Sequence, residues 1–171
     1  MPSEAAQRTA LQYQSPSATS VKVYSYDELE PEMASLVDTA KKMTQNAYCP
    51  YSGFRVGAAA LLANGQVVTG ANQENAAYPS GMCAERVTLF AANANYPDTP
   101  VLALALACYT KGHFTHDVSS PCGACRQVML ETEHRFGKPM KVILYCEEGC
   151  YVVDSAAELL PLSFVAENLE Q

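Results

Sequence analysis

The sequence predicts an α/β protein, a three-layer α/β/α sandwich around a five-stranded mixed sheet. Three observations lead there. Apolar runs of strand length alternate with stretches of helical apolar period through most of the chain. An Asn64-Gly65 pair between two apolar runs marks a hairpin, hence an antiparallel pair. Beyond residue 101 a strand, a helix and a strand follow one another, and such a crossover favours parallel pairing.

Residues 1–20 are rich in Ala, Ser, Thr and Gln, carry no apolar period and are expected to form a loose tail. Residues 21–30 form an N-terminal extension. In it Val21 and Val23 alternate with Lys22 and Tyr24, the pattern of a short edge strand. The main domain is expected over residues 31–171. It opens on a helix, because Met33, Leu36, Val37, Ala40 and Met43 share one face and Pro31 suits the first turn.

A loop at residues 48–53 leads into a mostly buried strand at 54–62, and the Asn-Gly turn returns the chain as a second strand at 66–72. A second helix is read over 83–93 and is stopped by Pro97 and Pro100 before a strand at 101–109. A third helix begins near Cys122 and places Val128, Met129 and Thr132 on one side. Residues 140–146 and 151–154 read as the last strands, and 155–160 as a last helix stopped by Pro161.

With 171 residues and 49% hydrophobic content the chain suits one domain with a core that needs no disulfide staples. The formal charge of −7 argues against a nucleic-acid surface, which needs clustered Lys and Arg, so a small-molecule ligand is expected. Residues 1–20 lack the basic start and apolar centre of an export signal, and no run reaches the ~18 apolar residues of a membrane span. A cytoplasmic location and no membrane partner are expected. The seven cysteines, an odd number, then point away from a disulfide framework.

Chemistry concentrates in Cys83-Ala84-Glu85-Arg86 and Pro121-Cys122-Gly123-Ala124-Cys125-Arg126. Cys83, Cys122 and Cys125 supply three thiolates for one zinc ion, and helix starts favour the thiolate form. A structural zinc would want a fourth ligand, and no further Cys or His has matching spacing. Glu85, two residues after a ligand, stands where a carboxylate would serve water activation; the alternative is a glutamate that only complements the helix dipole. Three thiolates leave the site formally negative, so Arg86 and Arg126 are candidates for donating hydrogen bonds to the sulfurs. Arg126 has an equal alternative as a surface or subunit-contact charge.

With these motifs the chain resembles the small cytidine deaminases, in the version whose first ligand is cysteine; the likeness runs from about residue 43 to 164. Zinc deaminases use three protein ligands and a non-ligating glutamate as proton carrier. The resemblance therefore implies a zinc-dependent hydrolase of pyrimidine salvage that converts cytidine and 2′-deoxycytidine to uridine and 2′-deoxyuridine plus ammonia. It implies that Glu85 carries a proton from water to N3 of the pyrimidine and later to the amine leaving C4. It gives Arg86 the role of tuning the sulfurs, Asn72 and Glu74 the ribose 3′-hydroxyl, and the Ala84 backbone the base carbonyl. Phe54 is expected to flank the pyrimidine, or else to be core. Phe164 is expected to reach over a neighbouring subunit's site in a homotetramer, or else to pack as an ordinary terminal aromatic.

Two mechanistic rivals are weaker. A nucleoside-antibiotic deaminase lacks the Asn-x-Glu pair, and a polynucleotide deaminase would show a histidine first ligand and a basic face. A third reading, an inactive zinc-stabilised scaffold, would be expected to lose Glu85 or a ligand. Pro79-Ser80-Gly81 departs from the family's commoner Gly-Leu-Thr type of loop but keeps its length. Cys49 and Cys108 read as small core residues. Cys146 and Cys150 read the same way, with a second metal or a disulfide as the alternative. His113, His116 and His134 read as solvated.

Overall fold

A computed structural model describes residues 20–169. The tail expected over residues 1–20 therefore lies, Ser20 apart, outside the described residues. The elements run β1 (Lys22–Tyr24), α1 (Pro31–Met43), β2 (Arg55–Leu62), β3 (Val67–Ala71), α2 (Ala84–Asn95), β4 (Val101–Thr110), β5 (His113–Phe114), α3 (Gly123–Phe136), β6 (Lys141–Cys146) and β7 (Gly149–Val153).

The strands form one mixed sheet in the order β1-β7-β6-β4-β2-β3, with β5 folded back on β4. Of these strands only β4 and β6 pair in parallel, and α3 is the crossover between them. The expected α/β/α layering is present, but among the described residues the sheet has seven strands rather than five. One addition is β1, which pairs antiparallel with β7 as an edge. The other is β5, which begins at His113, a residue read as solvated. Lys111 and Gly112, with φ of 53° and 92°, make the two-residue reversal that returns His113 opposite Thr110. A lysine at such a position is a poor sequence signal, since Asn, Asp or Gly usually supplies the positive φ. The last helix shrinks to a single 3-10 stretch at Ala156–Leu159, and β7 begins two residues earlier than read.

The β2–β3 hairpin forms where Asn64-Gly65 placed it, as a three-residue loop. The Gly65 N–H bonds Leu62 O, Gly65 takes φ 80°, and the Leu62 N–H reaches Gln66 O. The two faces of the sheet differ in grain. Toward α1 the sheet presents Ala59, Leu61, Ala103, Ala105, Ala107 and Ile143 beneath Leu36, Val37 and Ala40. Helix α1 lies so close that a Cβ on Gly57 would stand 2.1 Å from Ala40 O and 2.6 Å from Thr44 N. Toward α2 and α3 the sheet presents Leu62, Leu104, Leu106, Val142 and Leu144, packed on Leu89 and Met129.

Two polar anchors fix the periphery. On the α1 face the Lys41 ammonium lies 5.2, 5.3 and 4.5 Å from the rings of Tyr26, Phe114 and Tyr145. It thereby joins the extension, β5 and β6 through cation–π contacts. On the other face the buried Glu133 of α3 accepts hydrogen bonds from Met140 N (2.5 Å), Ala156 N (3.0 Å), Ala157 N (2.9 Å) and Ser155 Oγ (3.0 and 3.1 Å). The C-terminal segment is thus tied to the helix that begins at Cys122.

Candidate active site

Cys83 and Cys122 each sit one residue before a helix, α2 and α3, and neither spends its side chain on capping. Both helix N-termini therefore point unpaired N–H groups and the positive dipole end at the same spot. Cys125, one turn into α3, is fully buried. The Cys83 and Cys122 sulfurs are 3.9 Å apart, those of Cys122 and Cys125 3.4 Å, and all three lie within 4.8 Å of one another. Thiolates bound tetrahedrally to zinc at about 2.3 Å stand about 3.8 Å apart, so the triangle fits that ion. Among the described residues no other group of His, Cys, Asp and Glu side chains meets the same test.

The electrostatics fit as well. Hydrogen bonding from Cys125 and then from Arg86 and Cys122 pulls the Cys83 thiol down to about 5. Cys125 moves up in turn, because the Cys83 sulfur holds its proton and the site is buried. A divalent cation at the centre removes that competition by favouring all three thiolates. Arg86 Nη2 lies 3.7 Å from Cys83 Sγ, and contact with that sulfur strengthens its own hold on its proton.

Glu85 is 6% exposed, and burial raises its carboxyl above the ordinary value, the negative Cys83 adding to the effect. A carboxyl raised in this way is better suited to receive and return a proton than an ordinary exposed one. It opens onto a cavity of about 820 Å³ whose wall also includes Cys83, Arg86, Cys122, Phe54, Asn72 and Glu74. The volume suits a small organic ligand.

A family model for the cytidine and deoxycytidylate deaminase zinc-binding region matches residues 31–138. The chain belongs to this deaminase family. Curated relatives agree. The cytidine deaminase of Halalkalibacterium halodurans is 41% identical over 134 residues, covering 78% of this chain and 95% of that protein. That of Sporosarcina psychrophila is 38% identical over 138 residues, covering 81% and 95%. Among solved structures, the cytidine deaminase of Burkholderia pseudomallei superposes with a TM-score of 0.66 at 40% identity, covering 80% of this chain and all of that one. The Mycobacterium tuberculosis cytidine deaminase gives 0.62 at 32% identity, covering 80% and 99%.

Arg126, Ala84 and Phe164 lie off the wall of this cavity. Arg126 follows a ligand in sequence, yet its Nε donates to Pro121 O (2.8 Å) and its Nη1 to Leu159 O (3.1 Å). Among the described residues its hydrogen bonds thus run to carbonyls and not to sulfur, which fastens the C-terminal segment to the turn before Cys122. Ala84 is fully buried and is not part of the cavity wall, although Cys83 and Glu85 are. Phe164 is 58% exposed, lies off the wall of its own cavity, and is held by Gln127 Nε2 to its carbonyl at 2.8 Å.

Conversely, the cavity of this family member includes residues that sequence reasoning passed over. Tyr51 and Tyr78, both exposed, meet edge to face with centroids 5.9 Å apart and form part of its wall. Cys108, read as core, is buried but also lines the cavity, because the alternation along β4 puts it on the same face as Leu106. Burial pushes its thiol up to about 11. Ser119 and Ser120, just ahead of Pro121, complete that side. Aromatics set in short loops with proline and glycine, Pro50-Tyr51-Ser52-Gly53 and Tyr78-Pro79-Ser80-Gly81, were the available signal for the two tyrosines.

Proposed function

We propose that the protein hydrolyses cytidine and 2′-deoxycytidine to uridine and 2′-deoxyuridine with release of ammonia, a reaction of pyrimidine salvage. The observation that carries this reading is the meeting of the three-sulfur triangle, buried Glu85 and the Phe54, Asn72 and Glu74 wall around one cavity. The names of the relatives above support cytidine. One zinc ion per subunit, held by Cys83, Cys122 and Cys125, supplies the Lewis acidity that makes water a nucleophile near neutral pH.

The chain's own residues do the rest. Glu85 takes one proton of the attacking water and delivers it to N3, then takes the remaining proton from the oxygen now on C4 and passes it to the amine, which leaves as ammonia. Positioned proton transfer of this kind contributes about 10² to 10⁴ in rate. Arg86 offsets the charge on the Cys83 sulfur, its nearest anion. The N–H of Ala84, at the first position of α2 and without an intrahelical partner, is assigned the base carbonyl. Phe54 flanks the ring, and Glu74 and Asn72 take the ribose 3′-hydroxyl.

The catalytic unit is assigned to residues 31–171, and the working form to a homotetramer in which Phe164 covers a neighbour's site. Its exposure and its place away from its own cavity support that role. A reducing, cytoplasmic setting suits three thiolate ligands and seven free cysteines. Loss of cytidine absorbance catalysed by zinc-loaded protein is the direct test, with light scattering to read a mass four times 18.4 kDa. Glu85→Gln should keep its zinc and lose at least a hundredfold in kcat. Absence of turnover on both nucleosides would overturn the reading.

A further inference from the structure

Beyond its assigned contact with the sugar, we infer that Asn72 is a positioning residue for Phe54: its side chain replaces a missing rung of the β2–β3 ladder and so fixes the aromatic wall of the base pocket. The inference follows from the backbone bonds around residue 72. In the hairpin, the Asn72 N–H donates to Val56 O at 3.1 Å, as an antiparallel rung requires. Its returning partner would be the Val56 N–H donating to Asn72 O. That carbonyl, however, is taken by the Tyr48 N–H at 3.0 Å, and Tyr48 O takes the Glu74 N–H at 2.8 Å. Here the chain leaves β2 and pairs with residue 48, in the parallel sense at Gln73.

The switch strands two backbone groups, the Val56 N–H and the Phe54 carbonyl. The Asn72 amide meets both, Oδ1 accepting from Val56 N at 2.7 Å and Nδ2 donating to Phe54 O at 2.9 Å. A donor and an acceptor on one short planar group are required, which an amide of this length supplies. An aspartate keeps the acceptor and loses the donor, while an alanine loses both.

The result bears on Phe54 itself. Its carbonyl is held by Asn72, its N–H by Ser52 Oγ at 3.0 Å, and the loop before it by Glu74 Oε2, which accepts from Tyr51 N at 2.9 Å and Ser52 N at 3.3 Å. Gly53, with φ of 66°, makes the bend. Phe54, Asn72 and Glu74 all line the one cavity. The same side chains that face the ligand thus set the backbone that presents the ring.

The kinetic half of the test rests on the proposed deaminase activity; the exchange half does not. Asn72→Ala and Asn72→Asp are compared with wild type by hydrogen exchange on peptides covering 54–57 and 58–62, and by kcat/KM on cytidine and on 3′-deoxycytidine, which lacks the hydroxyl assigned to Asn72. Displaced catalytic geometry costs up to roughly a hundredfold. The expected result is at least tenfold faster exchange at 54–57 with 58–62 unchanged, and at least a tenfold loss on both substrates. Unchanged exchange at 54–57, or a loss on 3′-deoxycytidine smaller than threefold, would overturn the inference. Should the alanine variant fail to fold, Asn72→Leu, which also removes both groups, carries the same thresholds, and the aspartate variant, which keeps the acceptor for the Val56 N–H, is held to the kinetic threshold alone. Should wild type turn over neither nucleoside, the functional reading fails while exchange still decides the clamp.

Discussion

Glu133 offers the sharpest test of how the fold holds the site. Its two oxygens receive hydrogen bonds from three backbone N–H groups and the Ser155 hydroxyl, and Met140 and Ala156, two of the donors, are fully buried. Glu133→Ala leaves those two donors without partners in a place water does not reach. At about 1–3 kcal/mol for each orphaned group, with the lost packing added, the destabilisation is about 3–5 kcal/mol. For a domain of this size each kcal/mol lowers Tm by about 2–4 °C, so a fall on the order of 10 °C is expected at fixed protein concentration. Glu133→Gln keeps one acceptor oxygen and should fall by less than half as much. Thermal unfolding followed by circular dichroism on zinc-loaded protein reads both variants. A drop below 3 °C for the alanine variant would refute the anchoring argument.

Elemental analysis should find one zinc per chain; stripping it with a chelator should lower Tm and open two additional thiols to alkylation, those of Cys83 and Cys122, while Cys125 stays shielded by burial. Unchanged labelling would place the ion elsewhere. Cys108 and Cys150, both buried and both pushed up to about 11 by burial, should resist iodoacetamide in native protein at pH 8 and react once it is unfolded, as peptide mass spectrometry can show. Gly57→Ala drives a methyl into the α1 backbone and should cost at least about 3 kcal/mol or prevent folding; a denaturation midpoint close to wild type would mean that α1 yields. Hydrogen bonding from Ser52 and the amide of Tyr51 holds the Glu74 carboxyl below its ordinary 4.5, so the sugar contact proposed for it persists above that lowered value and fails only as pH falls through it. The difference in uridine affinity between wild type and Glu74→Gln should therefore stay constant from pH 7 to 5, and titration calorimetry showing it vanish above pH 5 would contradict the assignment.

The metal triangle and Glu85 were legible in the sequence because their geometry is local: a cysteine before each helix, a second cysteine one turn on, a carboxylate two residues after a ligand. Main-chain order was legible wherever apolar period persisted for five or more residues, as in α1, β2 and β4. β5 was not, since two residues carry no alternation and its turn relies on a lysine at positive φ. Adjacency misled for Arg126: successive residues on a helix diverge by about 100°, and its side chain leaves Cys125 for the C-terminal segment. The bonds of Asn72 could not be foreseen, because they depend on Tyr48 having claimed a carbonyl distant in sequence. Cys108 shows that core and pocket wall are not exclusive in a sheet whose inner face continues into the cavity.

The contrast between the two sides of the sheet sets where this enzyme can change. Beneath α1, a carbon added at Gly57 must lift a whole helix, so that position is expected to resist substitution. Beneath α2 and α3, longer chains such as Leu106, Leu144 and Met129 can trade volume among themselves. Leu106 and Val56, which reach the cavity from that looser side, are accordingly the positions through which selection or design can reshape the nucleobase niche while the scaffold stays put.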